Sequence, residues 1–88
     1  MATFDVAHIN EQGFNLVIAF VNGPVSDDMQ LRLQRCAKAA GLVGTVVPAW
    51  NDGLGTWQYR APLDMLVVLG MADWDKIVAS INGQLSCG

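Results

Sequence analysis

Residues suited to ligand binding are concentrated in one short stretch, WNDGLGTWQYR, which runs from Trp50 to Arg60. Its loop holds Gly53 and Gly55, a G-x-G pair that on its own is a weak signal for phosphate binding. A nucleotide-binding loop needs a third glycine and the start of a helix, whereas residues 56–59 (TWQY) are typical of a strand. The stretch therefore predicts a β-hairpin whose turn uses the two glycines.

The aromatic side chains of this hairpin form the candidate ligand site. A four-residue loop would pair Asn51 with Thr56. Trp50 then lies opposite Trp57, with Tyr59 on the same face of the sheet. Such a patch is either a small core, under a helix or at a dimer contact, or a stacking surface for a planar or apolar ligand or a peptide. The predicted ligand-binding residues are Trp50, Asp52, Trp57, Tyr59 and Arg60.

The remaining reactive side chains have no obvious partners in the sequence. His8 is the only histidine, and no Asp, Glu or Cys lies near it at the spacing of a metal site, so it is predicted to be a partly buried structural residue. Two cysteines do not make a disulfide framework. Cys36 is predicted to be a reduced thiol in a helix core, and Cys87 a reduced thiol in an exposed tail. No catalytic residue, metal site or cofactor is predicted.

Paired aspartates occur within residues 27–28 and 73–75, where helices are predicted to start. Helix capping and the helix dipole explain both pairs without acid–base chemistry. An enzyme is therefore the alternative interpretation. It would use a pocket at a dimer interface, with His8, Arg60 or an aspartate as the acid–base group.

The composition restricts the possible partners. Hydrophobic residues make up 52% of the 88 residues and charged residues 15%, against a typical charged share of about 25%. The net charge is −3, with five basic residues, so no basic surface for nucleic acid or an anionic membrane is predicted. The longest apolar run, MLVVLGMA, is too short to span a bilayer. The chain is predicted to be cytoplasmic, without a nucleic-acid or membrane partner.

Hydrophobic alternation and turn signals predict one α+β domain over residues 1–88. Its expected architecture has two layers, an antiparallel sheet of about four strands in ββαββ order with the helices on one face, and a C-terminal helix from residue 74. Pro48 predicts that the third strand lies at an edge or carries a bulge. Residues 63–70 (LDMLVVLG) are predicted as either a short helix or an extra strand, since a proline precedes them but two adjacent valines favour a strand.

The surplus of apolar residues predicts a second copy of the chain. With the helices on one face, the other face of the sheet carries apolar residues where polar residues normally meet water. A two-fold homodimer, with sheets packed face to face or sharing an edge, covers this face most simply. The predicted function is a non-enzymatic dimeric binding or interaction module, with a purely structural assembly subunit as a further alternative. The predicted interface residues are Val17, Ala19, Val21, Val47 and Ala49.

Overall fold

A computed structural model describes residues 2–87 of the chain. It contains eight elements: β1 (Ala2–Glu11), β2 (Phe14–Phe20), α1 (Asp27–Ala39), β3 (Thr45–Asn51), β4 (Trp57–Tyr59), α2 (Leu63–Met71), α3 (Trp74–Ala79) and β5 (Gly83–Cys87). The five strands form one sheet in the order β4-β3-β2-β1-β5. β2 and β3 are parallel, and the other neighbours are antiparallel. The α+β class is confirmed, but the sheet is mixed and has five strands instead of an antiparallel four.

The β1–β2 hairpin follows from its turn residues. Gln12 and Gly13 both have positive φ, 50° and 85°, and Glu11 pairs directly with Phe14 across them. Two consecutive residues with positive φ suit the right-handed twist of a two-residue hairpin turn, and glycine adopts this conformation without strain.

Helix α1 carries a capping motif at each end. The Ser26 hydroxyl accepts a hydrogen bond from the Met29 N–H at 3.2 Å and caps the helix. At the other end Gly41 has φ 78°. The Leu42 N–H donates to the Ala37 carbonyl at 3.0 Å, which closes a Schellman motif and turns Leu42 back onto the core.

The sheet has helices on both faces, which corrects the prediction that they lie on one. Because β2 and β3 are parallel, the chain must cross over the sheet between them, and α1 forms this crossover. Helices α2 and α3 come later in the chain and pack on the opposite face. The chain thus has three layers, with the sheet in the middle.

Each face of the sheet carries its own hydrophobic core. On the first face α1 contributes Leu33 and Ala37, which pack on Val6, Val17, Ala19, Val46 and Leu85. On the second face α2 and α3 contribute Met65, Leu69 and Ile77, which pack on Ala7, Leu16, Ile18, Val47 and Ala49. β2 lies in the centre of the sheet and is covered on both sides, which suits its continuous apolar sequence.

The residues predicted at a dimer interface lie within these cores. Val17 and Ala19 are buried under α1, and Val21 is half-buried beside them. Val47 and Ala49 are buried on the other face, under α2 and α3. The sequence does not predict that α1 crosses over the sheet. Because it does, the chain itself covers the face that was predicted to bind a second copy.

Pro48 lies in an interior strand, not at an edge. Its carbonyl accepts a hydrogen bond from the Arg60 N–H at 3.1 Å. The proline nitrogen has no proton to donate in return, and the pairing of β3 with β4 begins one residue later, at Ala49. Strand β4 ends at Tyr59, so no residue of β4 lies opposite the proline nitrogen that lacks a proton.

The C-terminal part of the chain is a strand where a helix was predicted. Helix α3 ends at Ala79, and β5 pairs with β1. Between them the Asn82 side chain accepts from the His8 N–H at 3.1 Å and donates to the His8 carbonyl at 3.3 Å. This amide continues the ladder of β1 and directs the chain into β5. Leu85 is consequently buried in the α1 core and does not belong to a helix.

A disulfide joins Cys36 of α1 to Cys87 of β5, with 5.6 Å between their Cα atoms. This corrects the prediction of two reduced thiols, and Cys87 is buried instead of exposed. The disulfide could not be predicted from local sequence, because the two cysteines are 51 residues apart. Only the placement of β5 next to β1, beneath α1, brings them together.

Candidate functional site

The hairpin that holds the aromatic residues differs from the prediction by one residue of register. Asn51 pairs with Trp57, and Trp50 pairs with Gln58. The loop therefore has five residues, 52–56, and Thr56 belongs to the loop. The Asp52 N–H donates to the Thr56 carbonyl at 3.1 Å across the base of this loop. A shift of one residue moves a side chain to the opposite face of a sheet. Trp50 and Trp57 accordingly lie on different faces.

Asp52 holds this loop together. Its carboxylate accepts from the Leu54 N–H at 2.8 Å and from the Thr56 N–H at 3.2 Å. These bonds, with that from Leu54 the largest cause, hold the pKa of Asp52 below its usual 3.8, against an opposing effect of desolvation. Gly53 and Gly55 both have φ near 85°, which glycine tolerates best. The loop glycines and Asp52 thus have structural explanations.

The lowered pKa predicts how the loop responds to acid. Because the folded carboxylate binds protons less readily than the unfolded one, its contribution to stability is complete above about pH 4. That contribution is lost as the pH falls through the lowered pKa. A pH titration of the Leu54 amide shift by NMR should give a midpoint below 3.8, and Asp52→Asn should abolish this transition. A midpoint at or above 3.8 would contradict the assignment.

Trp57 and Tyr59 meet a third aromatic residue that the candidate site did not include. Trp74, from α3, stacks on Trp57 with 5.8 Å between ring centroids and on Tyr59 with 5.3 Å. Phe20 contacts Trp57 edge-on at 5.4 Å. The Trp74 indole N–H donates to the Leu69 carbonyl at 3.1 Å. Trp74 lies at the start of the predicted C-terminal helix, but only the tertiary fold brings it onto the hairpin.

A shallow depression of about 440 Å³ borders this stack, lined by Trp57, Tyr59, Trp74, Gly70, Asp73 and Asp75 among others. Its volume lies within the range of small-ligand sites. The stacked rings, however, already contact one another through their faces, and the Trp74 indole N–H already donates to the Leu69 carbonyl. Packing therefore explains the arrangement, and ligand binding in the depression stays a prediction.

The hydrogen bonds of Arg60 and His8 are to residues outside the aromatic stack. Arg60 forms an ion pair with Asp27 and donates to the Val25 carbonyl at 3.0 Å. It thus anchors the segment that leads into α1. His8 is exposed on β1, contrary to the prediction of partial burial, and its backbone bonds to Asn82. Of these two candidates for the acid–base group, Arg60 uses its side chain in structural contacts, whereas His8 uses its backbone.

The described part of the chain contains neither a cluster of metal ligands nor a membrane-spanning helix. Within residues 2–87 no group of three or more His, Cys, Asp or Glu side chains is placed to hold a metal ion. Over the same residues, no helix is both long and apolar enough to cross a membrane.

The outer side of α2 carries the feature that the sequence analysis missed. Met65, Val68 and Leu69 are buried, and Met65 and Leu69 pack against the sheet. On the opposite side the helix exposes 84% of Leu63, 70% of Val67 and 74% of Met71, and Leu66 is 37% exposed. We call these four residues the α2 patch. A surface helix normally carries polar residues on its outer side, so the apolar run of residues 63–71, once assigned to a helix, was the available signal.

No protein family model, curated protein or solved structure matches this chain.

Proposed function

We propose that this chain is a small interaction module that self-associates through the α2 patch. The observation that carries the proposal is a nine-residue helix in which Asp64 is the only charged residue and only the inner side is buried, so that four large apolar side chains stay exposed. A helix of this kind is typical of the interior of a protein. A second copy would supply the missing cover. The contact surface is thus a helix face and not the sheet face predicted from the sequence.

The size of the α2 patch fits the centre of a dimer contact. The four residues expose on the order of 500 Å² of mostly apolar surface, which is within the range of the largest apolar patch on a typical monomer. A standard interface buries about 800 Å² per subunit. The patch would then form roughly 60% of such a contact, close to the roughly 65% apolar area of homodimer interfaces. The remainder would be a polar rim.

Substitution of Val67 tests the proposed function. Val67→Glu places a charge in the contact and is expected to raise the dimer dissociation constant at least tenfold, which corresponds to about 1.4 kcal/mol. Size-exclusion chromatography with light scattering over a dilution series measures this constant. The matched control is Val43→Glu, because Val43 is 69% exposed but lies in the loop before β3.

Two experimental results would contradict the proposal. Wild-type protein that stays at 9.5 kDa at every concentration would exclude self-association. An equal weakening by Val43→Glu and Val67→Glu would show that the effect of the charge is general and does not come from the α2 patch. Circular dichroism of each variant verifies that the fold is retained.

A further inference from the structure

We propose that two copies pair their α2 helices antiparallel, about a two-fold axis that passes at Val67. This inference rests on the proposed function and specifies which residues of the partner the α2 patch meets. Leu63 would pack on Met71 of the partner subunit, and Val67 on Val67 of the partner subunit. The partner is a second copy of this chain, placed by the order of residues along the helix.

The spacing of the exposed residues supports this arrangement. Leu63, Val67 and Met71 are four residues apart, so they form one ridge along the helix. Val67 lies at the midpoint of this ridge. A two-fold contact is self-complementary, so that if residue i meets residue j, residue j meets residue i. An antiparallel pair centred on Val67 buries all three side chains of both copies with no overhang.

The surface next to the ridge can accept a helix from the partner. The neighbouring row holds Leu66 and Gly70, and Gly70 contributes no side chain to it. The row is therefore low at one end, where the Tyr59 hydroxyl would lie 3.5 Å from a Cβ placed on Gly70. Helices that interlock through rows of this spacing cross at about −50°.

Charge favours the antiparallel orientation over the parallel one. Asp64 is the only charged residue of α2, and a parallel two-fold pair would hold the two Asp64 carboxylates at the same level. The antiparallel pair separates them along the helix axis. It also sets the positive N-terminal end of each helix dipole beside the negative C-terminal end of the other.

Charge-swap variants test the pairing. Leu63→Asp alone is expected to raise the dissociation constant at least tenfold, and adding Met71→Lys to the same chain should restore dimerisation. Residues 63 and 71 are eight positions apart, about 12 Å along one helix, so the restoring contact can form only between copies. Similarly, Val67→Asp and Val67→Lys should each be monomeric alone and dimeric when mixed in equal amounts.

The outcomes separate this inference from the proposed function. If dimerisation returns on mixing Leu63→Asp with Leu63→Lys, but not in the Leu63→Asp/Met71→Lys chain, the helices are parallel. The antiparallel pairing is then wrong while self-association through the α2 patch stands. If wild-type protein stays monomeric, both proposals fail. Circular dichroism of every variant verifies that the fold is intact, so that loss of dimerisation is not mistaken for unfolding.

Discussion

Replacing Cys36 with serine is expected to lower the free energy of unfolding by about 4 kcal/mol, because a cross-link over some 50 residues restricts the unfolded chain by about that amount. The bond joins α1 to β5 over a sequence separation of 51 residues. Domains of ordinary stability unfold at a cost of roughly 5–15 kcal/mol, so this loss is large. Urea unfolding followed by circular dichroism measures it.

The controls separate the cross-link from the serine side chain. Wild-type protein treated with a dithiol reductant should unfold at the same urea concentration as Cys36→Ser. An oxidant should not change the urea midpoint of Cys36→Ser. Ser86→Ala, beside Cys87 and exposed on β5, should change stability by no more than about 0.5 kcal/mol. If reduction leaves the urea midpoint of wild-type protein unchanged, the two sulfur atoms are not bonded in solution. The two reduced thiols of the sequence prediction would then be right.

Leu33→Ala is expected to cost about 3 kcal/mol, because it removes a fully buried side chain and leaves a cavity between α1 and the sheet. Leu31→Ala is the matched control on the same helix, where the leucine is 50% exposed. The control should cost less than about 1 kcal/mol. Both values come from urea unfolding of the oxidised protein.

This pair of variants tests which molecule covers the first face of the sheet. If α1 of the same chain covers it, the difference between Leu33→Ala and Leu31→Ala is the same at every protein concentration. If a second copy covers it, as the sequence analysis expected, the difference changes with concentration. Equal losses for the two variants would place Leu33 outside the core.

The elements that sequence predicts well carry their signals locally. Ser26, Gly41 and Leu42 define both ends of α1 within a few residues of the helix itself. Gln12 and Gly13 define the first hairpin in the same way. Capping bonds and positive φ values depend on neighbours in the chain and hardly on the rest of the fold. Such elements are therefore readable before any tertiary contact is known.

The candidate site was only partly predictable, because its geometry depends on single-residue register. Trp57 and Tyr59 were identified, but the five-residue loop closed by Asp52 moved Trp50 to the other face. Trp74 joined the stack from α3. The α2 patch was in the sequence as an apolar run, yet its exposed half becomes visible only after the sheet has buried the other half.

By itself, the sequence determined the α+β class and the local features that need only near neighbours, such as the turn of the first hairpin and the caps of α1. Tertiary structure decided the parallel crossover, the strand β5 where a helix was predicted, and the disulfide. The physical reason is the distance over which each interaction acts. Caps and turns are satisfied within a few residues, whereas strand order, register and the contact of Cys36 with Cys87 depend on segments far apart in the chain.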